Sequence, residues 1–163
     1  MKLNSKPLPG PSKDFVVLPR PSTQEGENND LVFWCQAVLD FDEFDAMVPE
    51  PKPIMVTRPG QSPTPDFNHP DFLKNQFIYG QKKQNWLTIQ SLNATPELEW
   101  EKVKLEDQET WNLWSKELQE GGLTIGEILK IQQKVHQVNG LDDDKFEEAR
   151  KNFLASGQGK VGP

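Results

Sequence analysis

Twelve of the 14 prolines fall at or before Pro70. Proline fixes φ and lacks an amide donor, so a chain this rich in it cannot carry long helices or central strands there. The prolines therefore divide the 163 residues into an extended front and a back free to form helices. Apolar residues make up only 34%, a modest supply for one domain of ordinary size. The 25 acids and 18 bases give a formal charge of −7, which argues against a generic grip on nucleic-acid phosphates or anionic lipid. The predicted fold is a mostly α protein: a small helical domain of about four to five helices, with an extended, proline-rich N-terminal arm and one or two short strands.

Residues 1–30 are expected to be a flexible or docking arm around one apolar island, Phe15-Val16-Val17-Leu18. Leu31 to Val38 is β-rich and reads as a strand or a firmly docked extended segment, with that island among its candidate neighbours. Asp40 and Glu43 have the spacing of a helix cap before Phe41, Phe44 and Met47, a short helix that ends at Pro49. The prolines at 49, 51, 53, 59, 63 and 65 then impose a linker or wrapping loop over 48–69, within a single domain spanning 31–155.

Pro70 suits a first helical position. The spacing predicts the longest helix from there to about Leu92, with Phe72, Leu73, Phe77, Ile78, Trp86, Ile89 and Leu92 on one broad face. Gly80 in its middle points to a bend or a close crossing. Thr95 to Leu105 fits neither period and reads as a turn-rich connection. Asp107 can cap a helix carrying Trp111, Trp114 and Leu118 that stops at Gly121-Gly122. Thr124 and Glu127 form a capping box for the next helix, with Ile125, Ile128, Leu129, Ile131, Val135 and Val138 as its apolar set and Asn139-Gly140 as its stop. Asp142 to Asp144 offer caps for a last helix with Phe146, Ala149, Phe153 and Leu154 inward, before a flexible tail over 156–163.

No pattern points to catalysis. Cys35 lies in an apolar run and cannot close an intrachain disulfide, and His69 and His136 have no spaced partner, so the reading is no enzyme, no cofactor and no metal. The acid runs at Asp40–Asp45 and Asp142–Glu148 lack the turn glycine of a calcium loop and read as caps. With no apolar run near the length of a membrane span and no secretory h-region, a soluble, unexported protein of a reducing cytoplasm is expected. Five tryptophans are many for so small a core, and tryptophan is enriched at interfaces. Trp86, Trp111 and Trp114 are the candidate partner-binding residues; the alternative for Trp111 and Trp114 is a helical core short of Leu and Val.

Three stretches, VLDFDEFDAMVPEPKP (Val38 to Pro53), TPELEWEKVKLEDQETWNLWSKELQEGGLTIGEI (Thr95 to Ile128) and NGLDDDKFEEARKNFL (Asn139 to Leu154), resemble in order and spacing the tail assembly chaperones of tailed bacteriophages. The resemblance covers roughly Leu31 to Leu154. It implies a non-catalytic factor of the infected host cell's cytoplasm that binds the tape measure protein, keeps it soluble and helps recruit the tail tube protein. It carries over no catalytic residue and leaves self-association open.

Many members are also made in a longer, frameshifted form. Gln158-Gly159-Lys160 can be encoded with a G-GGA-AAG slippery heptamer, and reads equally as a generic polar tail. Two rivals stand beside this reading. One is a structural virion protein, a connector or tail accessory wrapping its neighbours with extended arms. The other is an acidic decoy of a nucleic-acid enzyme, which the dispersed acids disfavour.

Overall fold

The computed structural model describes residues 10–21 and 29–141, the backbone at 2–3 and 6–7, and positions 144, 147, 148, 151, 152 and 155. The chain divides into two compact units that alternate along the sequence: one of Met1–Leu39, Gln90–Leu98 and Leu123–Pro163, the other of Asp40–Ile89 and Glu99–Gly122.

In the first unit, β1 (Lys2–Leu3) pairs with β2 (Lys6–Pro7), and β3 (Lys13–Leu18) pairs antiparallel with β4 (Leu31–Gln36). The apolar island is thus a strand, and its neighbour is the one the β-rich run suggested. The register sets Phe15 opposite Trp34, Val16 opposite Phe33 and Val17 opposite Val32. Leu18, Phe33 and Cys35 are buried on one face, while Phe15, Val17 and Val32 lie exposed on the other.

The outer edge of β4 is closed by a single side chain. Thr95 Oγ1 accepts from the Trp34 amide at 2.9 Å and donates to the Trp34 carbonyl at 2.9 Å, so it completes the ladder as a third strand would. Nothing local to Thr95 predicts this role.

The helix α4 (Ile125–Val138) packs in the same unit. Its capping box forms as the spacing predicts: Glu127 N–H donates to Thr124 Oγ1 at 3.3 Å and Thr124 N–H to Glu127 Oε2 at 2.8 Å. Ile128, Ile131, Val135 and Val138 are buried, and the helix ends at Asn139 with Gly140 at φ 70°. Ile125 and Leu129, expected among its apolar set, are exposed instead. Two ion pairs bind one flank of α4 to β3 and its continuation: Lys134 Nζ to Asp14 Oδ2 at 2.9 Å, and Arg20 to Glu127.

The second unit contains α1 (Asp42–Met47), the hairpin β5 (Ile54–Val56) and β6 (Thr64–Asp66), and α3 (Trp114–Glu120) preceded by a 3-10 turn over Trp111–Leu113. The helix α2 (Pro70–Leu92) lends it residues up to Ile89 and has the bounds its periodicity predicts.

Phe44, fully buried, centres the core. Its ring lies 5.4 Å from that of Tyr79 and 5.9 Å from those of Trp86 and Trp111, tilted or edge-on as aromatic quadrupoles prefer. Three short aromatic contacts thus do what a larger Leu/Val core would do elsewhere. The Glu117 carboxylate on α3 accepts from the amides of Glu101, Lys102 and Val103, which fixes the turn-rich connection and seats Val103 in the core.

Four expectations are corrected. First, the molecule is not clearly mostly α: among the described residues four helices accompany three two-stranded sheets. One sheet lies inside the proline-rich loop, where Pro59 and Gly60, at φ 77°, make the turn Arg58–Gln61 and Pro65 sits in an edge strand that can spare a donor.

Second, α1 starts one residue later than its cap suggests: Asp40 Oδ1 does accept from the orphan Asp42 amide at 3.2 Å, but the N-cap position is held by Phe41. Third, the helix expected from Asp107 begins later. Asp107 Oδ1 accepts from the Glu109 amide and its carbonyl from that of Thr110, forming a turn before the 3-10 segment. Fourth, Gly80 marks no crossing, since a Cβ there would meet nothing within 4 Å.

Of the last helix, the described positions 144, 147, 148, 151, 152 and 155 are helical and exposed. The inward set Phe146, Ala149, Phe153 and Leu154, and the tail at 156–163, lie outside the described residues.

Candidate partner-binding surface

The aromatic residues singled out from the sequence are core residues. Trp86, Trp111 and Trp114 are 2%, 0% and 5% exposed, so none presents a face to a partner. Their polar tips are spent inside the second unit as well: Trp111 Nε1 donates to the carbonyls of Lys104 and Leu105 at 3.1 and 3.2 Å, and Trp114 Nε1 to Asn85 Oδ1 at 3.0 Å. Trp86 Nε1 finds no acceptor among the described residues. For Trp111 and Trp114 this is the alternative weighed above, with a physical cause. Large rings at i and i+3 fill the space between α1, α2 and α3 that smaller apolar residues are too few to fill.

The surface that does face solvent is the first half of α2. Phe72, Tyr79 and Trp86, seven residues apart, form the inward stripe, with Tyr79 Oη donating to Asp45 Oδ1 at 3.3 Å and Phe72 stacked edge-on against Phe67 at 5.9 Å. Leu73, Phe77 and Ile78 point elsewhere and are 52%, 65% and 39% exposed. The broad single face expected for α2 is therefore split: Tyr79 and Trp86 meet Phe44 of α1, Ile78 borders a cleft with Gln108, Glu109 and Asn112, and Leu73 and Phe77 face solvent. Exposed Gly80 extends the Leu73–Phe77 stripe without adding a side chain. The β5–β6 hairpin of the same unit adds Met55, and Phe67 follows it; both are more than half exposed. Leu73 and Phe77, neighbours on one face of a helix in an acidic unit, are what a binding surface shows.

The electrostatic setting is acidic. The second unit holds 14 Asp and Glu against 8 Lys and Arg, so −6 of the chain's −7 resides in it. Asp42, Glu43 and Asp45 stand exposed on α1, and Asp45 meets Tyr79. Lys83 is an exception: its ammonium lies 4.2 Å from the centre of the Phe41 ring and serves the core. Lys102 and Glu120 form a surface ion pair that holds the Lys102 pKa above its ordinary value and the Glu120 pKa below.

Residues with reactive potential are occupied or silenced. Cys35 is fully buried, and burial pushes its thiol up to about 12, so it stays protonated. His69 caps α2, with Nδ1 accepting from the Asp71 amide at 3.2 Å. A cleft of about 180 Å³ beside α2 is lined by Ile78, Gln81, Lys82, Asn85, Gln108, Glu109 and Asn112, and its two charges neutralise each other at 2.8 Å. Among the described residues no three His, Cys, Asp or Glu side chains are grouped to hold a metal ion, and no helix is long and apolar enough to cross a membrane. Compared with protein-family models, curated proteins and solved structures, the chain matches none.

Proposed function

We propose that the protein is a phage tail assembly chaperone acting in the host cytoplasm, binding apolar helical segments of the tape measure protein and keeping them soluble. One observation carries the reading: Leu73 and Phe77 lie on an exposed stripe of a helix that is firmly anchored by its other face, with Ile78 part-exposed on the flank. A helix so held is a rigid platform on which an amphipathic partner helix can lay its own apolar face, as in helix-in-groove recognition. Gly80 gives such a partner room to approach the backbone. The surrounding −6 favours a client with cationic flanks and keeps the loaded complex from self-associating. The resemblance of the three quoted stretches supplies the tape measure as the client, with recruitment of the tail tube protein and the longer, frameshifted form as further parts of the proposal.

The test is co-expression with the tape measure gene product. The wild-type chain keeps that product in the soluble fraction; the double variant Leu73→Ser, Phe77→Ser folds with an unchanged melting curve and loses this ability. A client that precipitates equally with and without the wild-type chain would end the chaperone reading. Stoichiometric presence in purified virions would favour the structural alternative. A client still solubilised by the double variant would leave the function and remove the surface.

A further inference from the structure

We propose that the outer edge of β3 is a second binding site, which takes an extended segment whose side chains alternate apolar and acidic. The proposal concerns the first unit only and is independent of the chaperone reading.

The hydrogen-bond pattern fixes which way the strand's backbone points. Trp34, opposite Phe15, gives its amide and carbonyl to Thr95, on the side away from β3, so Phe15 and Trp34 are a non-hydrogen-bonded pair. Ser12, which accepts from the Ala37 amide at 2.7 Å, belongs to the other parity. By alternation Lys13, Phe15 and Val17 all direct their amides and carbonyls away from β4.

Only one of these groups is satisfied locally among the described residues. The Phe15 amide donates to the Asp14 carboxylate at 2.9 Å, a contact that an incoming carbonyl can replace while Asp14 keeps its Lys134 partner. Among the described residues no proline, bulge or third strand blocks the edge. An open row of donors and acceptors is a template for strand addition.

The two faces of the hairpin specify what side chains the added strand carries. On one face Phe15 and Val17 stand 43% and 44% exposed, with Phe15 stacked on Trp34 at 4.8 Å, so the newcomer's residues on that side are apolar. The other face lies over α4. Glu127, Lys130 and Lys134 follow at spacings of three and four, and the pairs Arg20–Glu127 and Lys134–Asp14 place that flank along β3. Lys130, between them, is exposed and has no ion-pair partner among the described residues. Asp14 and Glu127 on this side already hold Lys134 and Arg20, so residues of the newcomer that alternate onto it are left Lys130 as their partner, and are acidic.

The probe is a blocked ten-residue peptide alternating valine and glutamate, with a valine–lysine peptide as control. The chain's overall −7 favours the lysine peptide, so a preference for glutamate reads the local flank. Expected are binding of the glutamate peptide about tenfold tighter than the control, with slowed hydrogen exchange at the Lys13 and Val17 amides. Lys130→Glu abolishes the preference. Val17→Pro deletes an outward donor while sparing the β3–β4 ladder, and removes binding.

Should Val17→Pro unfold, Lys130→Glu and the amide protection decide the matter, since Lys130 supports no core residue. No binding at millimolar peptide, equal binding of both peptides, or protection elsewhere in the chain would overturn the proposal. So would a dimer of the chain paired through this edge.

Discussion

The helices α4 and α2 carry similar proportions of apolar residues and use them differently. In α4 the buried set, Ile128, Ile131, Val135 and Val138, follows the 3.6-residue period, and a complete capping box marks its start. In the first half of α2 the buried positions are Phe72 and, partly, Tyr79, while Leu73, Phe77 and Ile78 face solvent. Periodicity records which residues can share a face; what covers that face is decided by the rest of the fold. Where the two disagree, the surplus apolar surface is available for a partner, and α2 is where they disagree most.

Paired truncations test this contrast, and they carry the largest effect. Ile131 is fully buried, so Ile131→Ala should cost about 2–5 kcal/mol of stability, whereas Phe77→Ala should stay within about 0.5 kcal/mol. Urea unfolding of both variants measures the difference. A Phe77→Ala cost above about 2 kcal/mol would mean that this side chain is part of the core and that α2 offers no free face.

The helix starts differ too. Thr124→Ala removes the side chain that accepts from the Glu127 amide and should cost about 1 kcal/mol, read in the same unfolding experiment. A loss near zero would show that the Glu127 carboxylate alone secures the first turn of α4. In α2 the corresponding cap is His69, whose ring nitrogen replaces the usual hydroxyl or carboxylate. This is why the start of α2 was legible from Pro70 and not from its cap.

Gly80→Ala sharpens the comparison from the other side. The new methyl meets nothing and the backbone is ordinary helix, so the unbound protein should gain about 0.4–1 kcal/mol. If the glycine is kept for close approach of a client helix, the same variant binds that client more weakly. A more stable protein with unchanged client binding would show that the cost of glycine here has no return in recognition.

These cases also show how far the sequence could be read. Elements fixed by local chemistry were legible: α2 from Pro70 to Leu92, α4 from its Thr124–Glu127 box to Asn139-Gly140, and the β-rich runs that became β3 and β4. Features fixed by partners distant in sequence were not. Thr95 completes the edge of β4 across 61 residues, Glu117 gathers three amides from the preceding connection, and Trp86 meets Phe41 and Phe44 from α1. The β5–β6 hairpin was hidden by its prolines, which exclude central strands yet tolerate an isolated pair. The candidate surface was half legible: Leu73, Phe77 and Ile78 were identified as apolar helix residues, but nothing local distinguishes an apolar residue that will be covered from one that will not.

The smallest effect expected is one of pH, and it concerns the best-defined start in the molecule. The Arg20 guanidinium and the Thr124 amide together hold the Glu127 carboxyl down to about 2 from its ordinary 4.5. A pKa depressed on folding adds stability that is fully present above the unfolded value and is lost as pH falls through the folded one. The contribution should therefore be constant above about 4.5 and fade between there and about 2. Because the carboxylate sits at the surface, the amplitude is modest and falls with added salt. Comparing thermal melts of the wild type and Glu127→Gln from pH 7 to pH 2 isolates it: the gap between the two should close across that window. A gap that stays constant to pH 2 would mean that Glu127 acts through hydrogen bonds the amide can also make, and that the charge of Arg20 adds nothing to the start of α4.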